Sequence, residues 1–434
     1  MTLELRLWPF FSFAYLLVLN AEAADDYSFD ASAFEKKSFE LGGYVQVEQD
    51  HFTLNRDAAF YKLGYFGQSQ RDNIDRSAAI AELNGKLRKG IGTFNFNTYS
   101  SIQRDQLSHD HNNVVYEAAY SIRPDPGMTL EAGKKTMRWG KGYAWSPIGF
   151  VERPKDPNDP DLAREGYGMV NADLIVNRDG PLQTIAFTPV LLPVENNLNS
   201  DFGSRGHLNP AAKLYLLYRD TDIDFAWQGQ GSRPGRYGMD LSRNLTSNFE
   251  IHGEWARVHN YLKPVIDGQG NVGSELDNAT SYLVGLRYLT EGETTYILEY
   301  YRNGTGYSDT EAQEFYQFVD AAFSQFQQTG NATLIQKAVT LSQGSYGRPN
   351  PGQHYVYFRA QMKDALGIIY FLPAISTIVN QDDRSFQVTP ELLYTGVTNF
   401  DLRLRFYALH GGHLTEFGEK QNLNRLEFYA RYYF

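Results

Sequence analysis

Counted by alternate residues, the last two strand-like stretches of this chain turn four arginines to one side: Arg403 and Arg405 in one, Arg425 and Arg431 in the other. Arg287 and Arg359 take the same side in earlier stretches, and Glu299, Glu391 and Glu427 share it. A guanidinium keeps its charge in a protein, so each arginine must pair with an acid or face water. Asp401, Glu427 and the first-strand Glu40 and Glu48 can neutralise some of them through cross-strand pairs. An unpaired excess would form a basic wall of the kind that selects among ions in a pore. Other chemistry is poorly represented. No H-E-x-x-H, G-x-S-x-G or P-loop string occurs, and nine histidines are scattered. His410, His413 and Glu416 sit close enough in sequence to hold a metal, but a rim pair of this sort is ordinarily incidental, so no metal site is assigned. Cysteine is absent, which excludes disulfides, thiolate metal sites and covalent haem. Both signs of charge are abundant and the net charge is −11, so there is no nucleic-acid footprint. The expectation is a protein that is not an enzyme and carries no cofactor.

The elements that must position these charges are strands. From Phe39 onward, apolar and polar residues alternate, as in Leu41, Gly43, Val45, Val47 against Gly42, Tyr44, Gln46, Glu48. The rhythm recurs through the chain, broken by turn residues such as Lys89-Gly90-Ile91-Gly92 and Pro124-Asp125-Pro126-Gly127. Connections alternate too: short turns follow every second strand, and longer links such as 138–165, 193–210, 259–278 and 304–352 follow the others. The count is about eighteen strands. Sixteen is the alternative, because 168–192 and 368–379 are apolar on both faces and their register is open.

The chain ends on Leu-Asn-Arg-Leu-Glu-Phe-Tyr-Ala-Arg-Tyr-Tyr-Phe, with Leu426, Phe428, Ala430, Tyr432 and Phe434 on one face. This aromatic-ended strand resembles the closing strand of bacterial outer-membrane β-barrels. The resemblance implies that Phe434, Tyr432 and Phe428 are read by the barrel-assembly machinery. The start of the chain agrees: Leu7 to Leu19 is apolar and Ala21-Glu22-Ala23 follows, a secretory signal peptide over 1–23. The organisation expected is signal peptide 1–23, periplasmic lead 24–38, and barrel 39–434. The 30 tyrosines and 28 phenylalanines suit two aromatic girdles. The fold class is therefore all-β: a closed antiparallel transmembrane barrel with both termini periplasmic, in contact with outer-membrane lipid and lipopolysaccharide.

Two insertions could narrow such a barrel. Residues 308–343 change to helical spacing, with Ser308 and Glu311 as a capping box, a break at Gly330 and a second short helix around Leu334 to Val339. This hairpin in an extracellular loop must bury its stripe, by capping the mouth or by plugging the lumen, and it is expected to restrict the pore. Arg138 to Glu165 carries Trp139, Trp145 and the acids Asp156, Asp159, Asp161 and Glu165. Oxygen-rich loops bind Ca²⁺, but the EF-hand pattern is missing and a solvated rigid loop is the expectation.

The chain is similar to large porins, including substrate-selective and alginate-export-type barrels. It departs from the export type in carrying about as many lumen acids as bases, which argues against a polyanion. The resemblance implies a channel for passive diffusion of small hydrophilic or charged solutes. The alternative is a sheath for a partner such as a multihaem cytochrome conduit.

Overall fold

A computed structural model describes residues 37–159, 163–267 and 270–434. The expected signal peptide, most of the lead and Asp161 lie outside these. Eighteen strands follow in order: β1 (Phe39–Leu54), β2 (Asn73–Lys89), β3 (Gly92–Arg104), β4 (His109–Asp125), β5 (Met128–Lys135) and β6 (Tyr167–Asn177). Next come β7 (Leu182–Val194), β8 (His207–Tyr218), β9 (Thr221–Gln228), β10 (Arg236–Thr246), β11 (Phe249–Ile266) and β12 (Val272–Leu289). The last are β13 (Thr294–Arg302), β14 (His354–Met362), β15 (Phe371–Asn380), β16 (Phe386–Val397), β17 (Phe400–His410) and β18 (Asn422–Tyr433). Each strand is antiparallel to its neighbours in sequence, and β1 pairs with β18, so the sheet has no free edge. The count is eighteen rather than sixteen.

Alternation sorts the two faces as the sequence predicts. Val45, Val47, Leu83, Leu87, Phe406, Leu426 and Phe428 are exposed on the outside of the barrel, while Gln46, Asp50, Glu82, Glu391 and Glu427 are buried within it. An apolar exterior is what lipid requires, since hydrocarbon offers polar groups no partner. Closure is completed at the short-turn rim. There the Phe434 amide donates to the Gly43 carbonyl at 3.1 Å and the Gly43 amide donates to the Phe434 carbonyl at 3.2 Å. Gly43 is needed for this approach: a Cβ there would lie 2.1 Å from the Glu82 carbonyl oxygen and 3.0 Å from the Phe434 ring.

Among the described residues, three α-helices lie in the long links. α1 (Ala59–Tyr65) follows β1 and is too short for its period to show in the sequence. α2 (Asp309–Thr329) begins with the Ser308–Glu311 capping box and ends at Gly330, whose φ of 70° suits the left-handed cap. α3 (Thr333–Leu341) completes the hairpin. Its buried stripe, Phe315, Tyr316, Phe318, Val319 and Ala322, packs with Ala59 and Leu63 of α1, Ile335 and Ala338 of α3, and Ile266 at the end of β11. Lys62 binds Asp320 across this contact at 2.5 Å, and Lys263 binds Glu311 at 2.5 Å. The apolar stripe is thus spent among the long links at one end of the barrel, as a cap and not a plug.

The seam yields the first prediction. Deleting Phe434, or changing Gly43 to Val, should lower the yield of heat-modifiable barrel in outer-membrane fractions. An unchanged yield for both variants would show that neither the terminal aromatic nor the close approach matters for assembly.

Candidate functional site

The link between β5 and β6 turns into the lumen. Its expected role as a solvated loop is not what forms: Ile148, Phe150 and Val151 are almost fully buried, with Trp139 beside them. They pack on Tyr167, Met169, Val190, Leu192 and Val194, which are the inward residues of β6 and β7. This explains why 168–192 is apolar on both faces: one side meets lipid and the other meets the loop. A second apolar contact joins Ala144 and Trp145 to Leu283, Tyr355, Tyr357 and Ile378.

Backbone amides carried into such a place need acceptors, and two wall carboxylates supply them. Glu254 Oε1 accepts from the amides of Lys141 and Gly142, both at 2.7 Å, and Oε2 from Ile148 at 3.2 Å. Glu299 accepts from the amides of Tyr143 and Ala144 and lies 2.9 Å from His252 Nε2. Charged acceptors make the stronger class of hydrogen bond. Gly142 fits because a Cβ there would lie 2.3 Å from the Trp145 carbonyl oxygen. Within the loop, burial pushes the Glu152 carboxyl up to about 7, against the pull of Arg164 and Lys155. Glu299 was expected as an open lumen charge; its side chain is 0% exposed and serves as a clamp. The described loop acids are also engaged within the protein. Asp156 receives the Asn158 amide, Glu165 binds Lys134 and Arg153, and Asp159 reaches the far wall.

That far wall holds the arginines. Arg403 binds Asp159 and Glu427, each at 3.0 Å. Arg405 donates to Glu391 from Nε at 2.7 Å and lies 3.5 Å from Asp159. Arg359 donates to the other oxygen of Glu391 at 2.9 Å. Arg425 binds Asp50 at 2.7 Å and Glu427 at 2.6 Å, and Asp50 also holds Arg76 at 2.6 Å. These groups are mostly buried, so removing one partner strands the other at a cost of about 3–5 kcal/mol. Arg287 is apart, 45% exposed and 3.9 Å from Glu250. Arg431 has no carboxylate within 4.0 Å among the described residues; it donates to Gln46 and to the Tyr433 hydroxyl.

The expected basic wall is therefore largely a neutralised seam. Glu40 does not join it, since it binds Arg88 at 2.7 Å. Asp50 does, and its only signal in the sequence is that it continues the parity of Gln46 and Glu48. The trio Glu48, Asp50 and Glu427 brings carboxylate oxygens within 4.8 Å of one another, but Arg76 and Arg425 already lie between them. The residues expected to form an assembly signal stand apart from the lumen, with Phe428 and Phe434 exposed on the outside. His410 and His413 separate: His410 stacks on Phe386, while His413 faces Glu419 and Asp320. Glu416 instead accepts from Tyr355 and Asn380.

Beside the loop a cavity of about 780 Å³ remains, lined by Tyr143, Asn158 and Asp159 on one side and by Arg359, Arg403, Arg405 and Arg431 on the other. A second cavity of about 360 Å³ opens toward Phe60 and Lys420, and Asn158 lines both. Asn158 and Asp159 of the loop therefore lie between the second cavity and the arginine wall of the first. No residue of 308–343 lines the central cavity, so the hairpin is not the element that narrows it.

No family model matches this chain, and no curated protein matches it. Solved structures do. Pseudomonas aeruginosa OccK5 (OpdH) is 10% identical, with a TM-score of 0.52 over 91% of this chain and 98% of that one. Pseudomonas aeruginosa OpdQ is 10% identical, with a TM-score of 0.50 over 91% of this chain and 99% of that one. A mutant Rh. blastica porin superposes more loosely, at 10% identity and a TM-score of 0.44 over 91% and 100% of the two chains. At such identity the likeness is one of fold, and the fold is porin-like.

Changing Glu254 and Glu299 together to Ala should free the loop, since each abandoned buried amide costs about 1–3 kcal/mol. The expected signs are protease cleavage within 136–166 and a higher single-channel conductance. A loop that stays resistant in a folded barrel would mean that its apolar contacts suffice to hold it.

Proposed function

We propose that the protein is an outer-membrane channel for passive diffusion of small hydrophilic or charged solutes. One observation carries this reading: a closed barrel is narrowed by its own clamped loop to a charged, water-accessible cavity of about 780 Å³. Ordered loops and rings of charge are how pores sort solutes by size and sign. In this reading residues 1–23 direct export, the assembly machinery recognises Phe434, Tyr432 and Phe428, and lipid and lipopolysaccharide surround the apolar exterior. Both termini face the periplasm, and the long links with the helical cap face outward. Selectivity sits where Asp159 meets Arg403 and Arg405. The sheath alternative is disfavoured by the same loop, which crosses the space that a cytochrome partner would need.

Planar-bilayer recording of the purified protein tests this. An open ohmic pore is expected, and a folded barrel that stays silent would refute the channel reading. Replacing 308–343 by a short Gly/Ser linker should change conductance less than freeing the 136–166 loop does. A larger effect of the linker would return the restriction to the hairpin.

Selectivity gives a separate prediction. Arg403→Gln with Arg405→Gln should shift the reversal potential in a salt gradient toward cations, because Asp159 loses both its cation partners while Glu391 and Glu427 keep only Arg359 and Arg425. A reversal potential that stays put in a folded barrel would leave these arginines a purely structural role.

A further inference from the structure

We infer that the turn-side end of the central cavity is a bipolar subsite that favours zwitterions over simple anions: small solutes with an ammonium and a carboxylate on one skeleton, as in an α-amino acid. This rests on the channel reading above and specifies its substrate class.

Most of the wall arginines are already neutralised. Arg403, Arg405 and Arg425 are each held by two or more carboxylates, so they offer an entering anion little net field. Arg431 differs. It donates from Nε to Gln46 at 2.8 Å and from Nη1 to the Tyr433 hydroxyl at 3.2 Å. Its guanidinium carbon lies 4.2 Å from the centre of the Tyr44 ring and 4.9 Å from that of Tyr429. Aromatic faces hold a guanidinium in place without removing its charge. An arginine has five N–H donors, and no described residue accepts from the others of Arg431.

Two acids beside it are likewise without an ion pair among the described residues. Asp401 is the cross-strand partner of Arg431, yet the two make no ion pair; the Tyr433 hydroxyl stands between them and donates to Asp401 at 2.9 Å. On the other flank Glu82 pairs in register with Tyr44 and accepts from Asn97 at 2.9 Å, with no cation within 4.0 Å among the described residues. Arg431, Asp401 and Glu82 all line the same cavity. The patch thus runs across β2, β1, β18 and β17 as acid, guanidinium, acid, with tyrosines as spacers. A simple anion would meet Arg431 but be repelled by both acids. A simple cation would meet the acids but be repelled by Arg431. A zwitterion can satisfy both signs at once, its carboxylate on Arg431 and its ammonium on Asp401 or Glu82.

The test compares uptake of four labelled solutes of similar size into proteoliposomes: serine as zwitterion, lactate as anion, ethanolamine as cation and glycerol as neutral reference. Relative to glycerol, serine should enter faster than lactate and ethanolamine by about threefold, the scale of one solvated ion pair. Asp401→Asn should raise the lactate-to-serine ratio, and Glu82→Gln should move it the same way; Arg431→Gln should raise ethanolamine relative to serine. Wild-type lactate entering as fast as serine, or ratios unmoved in all three folded variants, would overturn the inference. Failure of glycerol to enter through a folded barrel would instead overturn the channel reading itself.

Discussion

A sheet immersed in hydrocarbon has nowhere to place an unpaired backbone amide. Everything else in this structure follows from meeting that requirement. The sheet closes on itself between β1 and β18, and the closing contact is made by backbone groups of Gly43 and Phe434. Closure fixes which residues share the lumen, because parity along each strand becomes inside or outside once the last strand finds the first. It also brings Asp50 and Glu48, near one end of the sequence, against Arg425, near the other.

The same requirement reappears inside the barrel. A loop drawn into the lumen carries amides away from bulk water, and here Glu254 and Glu299 receive them. Apolar contacts with β6 and β7 hold one part of the loop, and Asp159 reaches the arginine wall with another. Clamp, apolar seat and ion pair act at different points along one link. The wall charges consequently have two duties: they hold the loop, and what they leave unneutralised sets the electrical character of the cavity.

Much of this was legible in the sequence, and the reason is the period. Alternation along Leu41 to Val47 and Leu426 to Phe434 decides the two faces without reference to anything distant, because successive strand side chains must point opposite ways. Turn residues and link lengths gave the alternating rims. Helical spacing and the Ser308–Glu311 box gave the hairpin, since a capping box and its stripe are local patterns. The set of inward residues, including Arg403, Arg405, Arg425 and Arg431, came from the same parity.

What the period could not carry was which inward residue meets which. Glu299 and Arg403 share a face by parity, yet one clamps a loop and the other binds Asp159, because their partners come from a segment 155 and 244 residues away with no period of its own. The double apolarity of 168–192 left its register open in sequence; its meaning depends on Ile148, Phe150 and Val151 lying against it. Asp401 and Arg431 are adjacent by register but are kept apart by Tyr433, a matter of side-chain reach that spacing does not express. Sequence alone determined the barrel, its faces and its local caps, because those are set by neighbours along the chain. Tertiary structure alone decided the narrowing element and the balance of charge, because those depend on contacts that exist only after the barrel has closed.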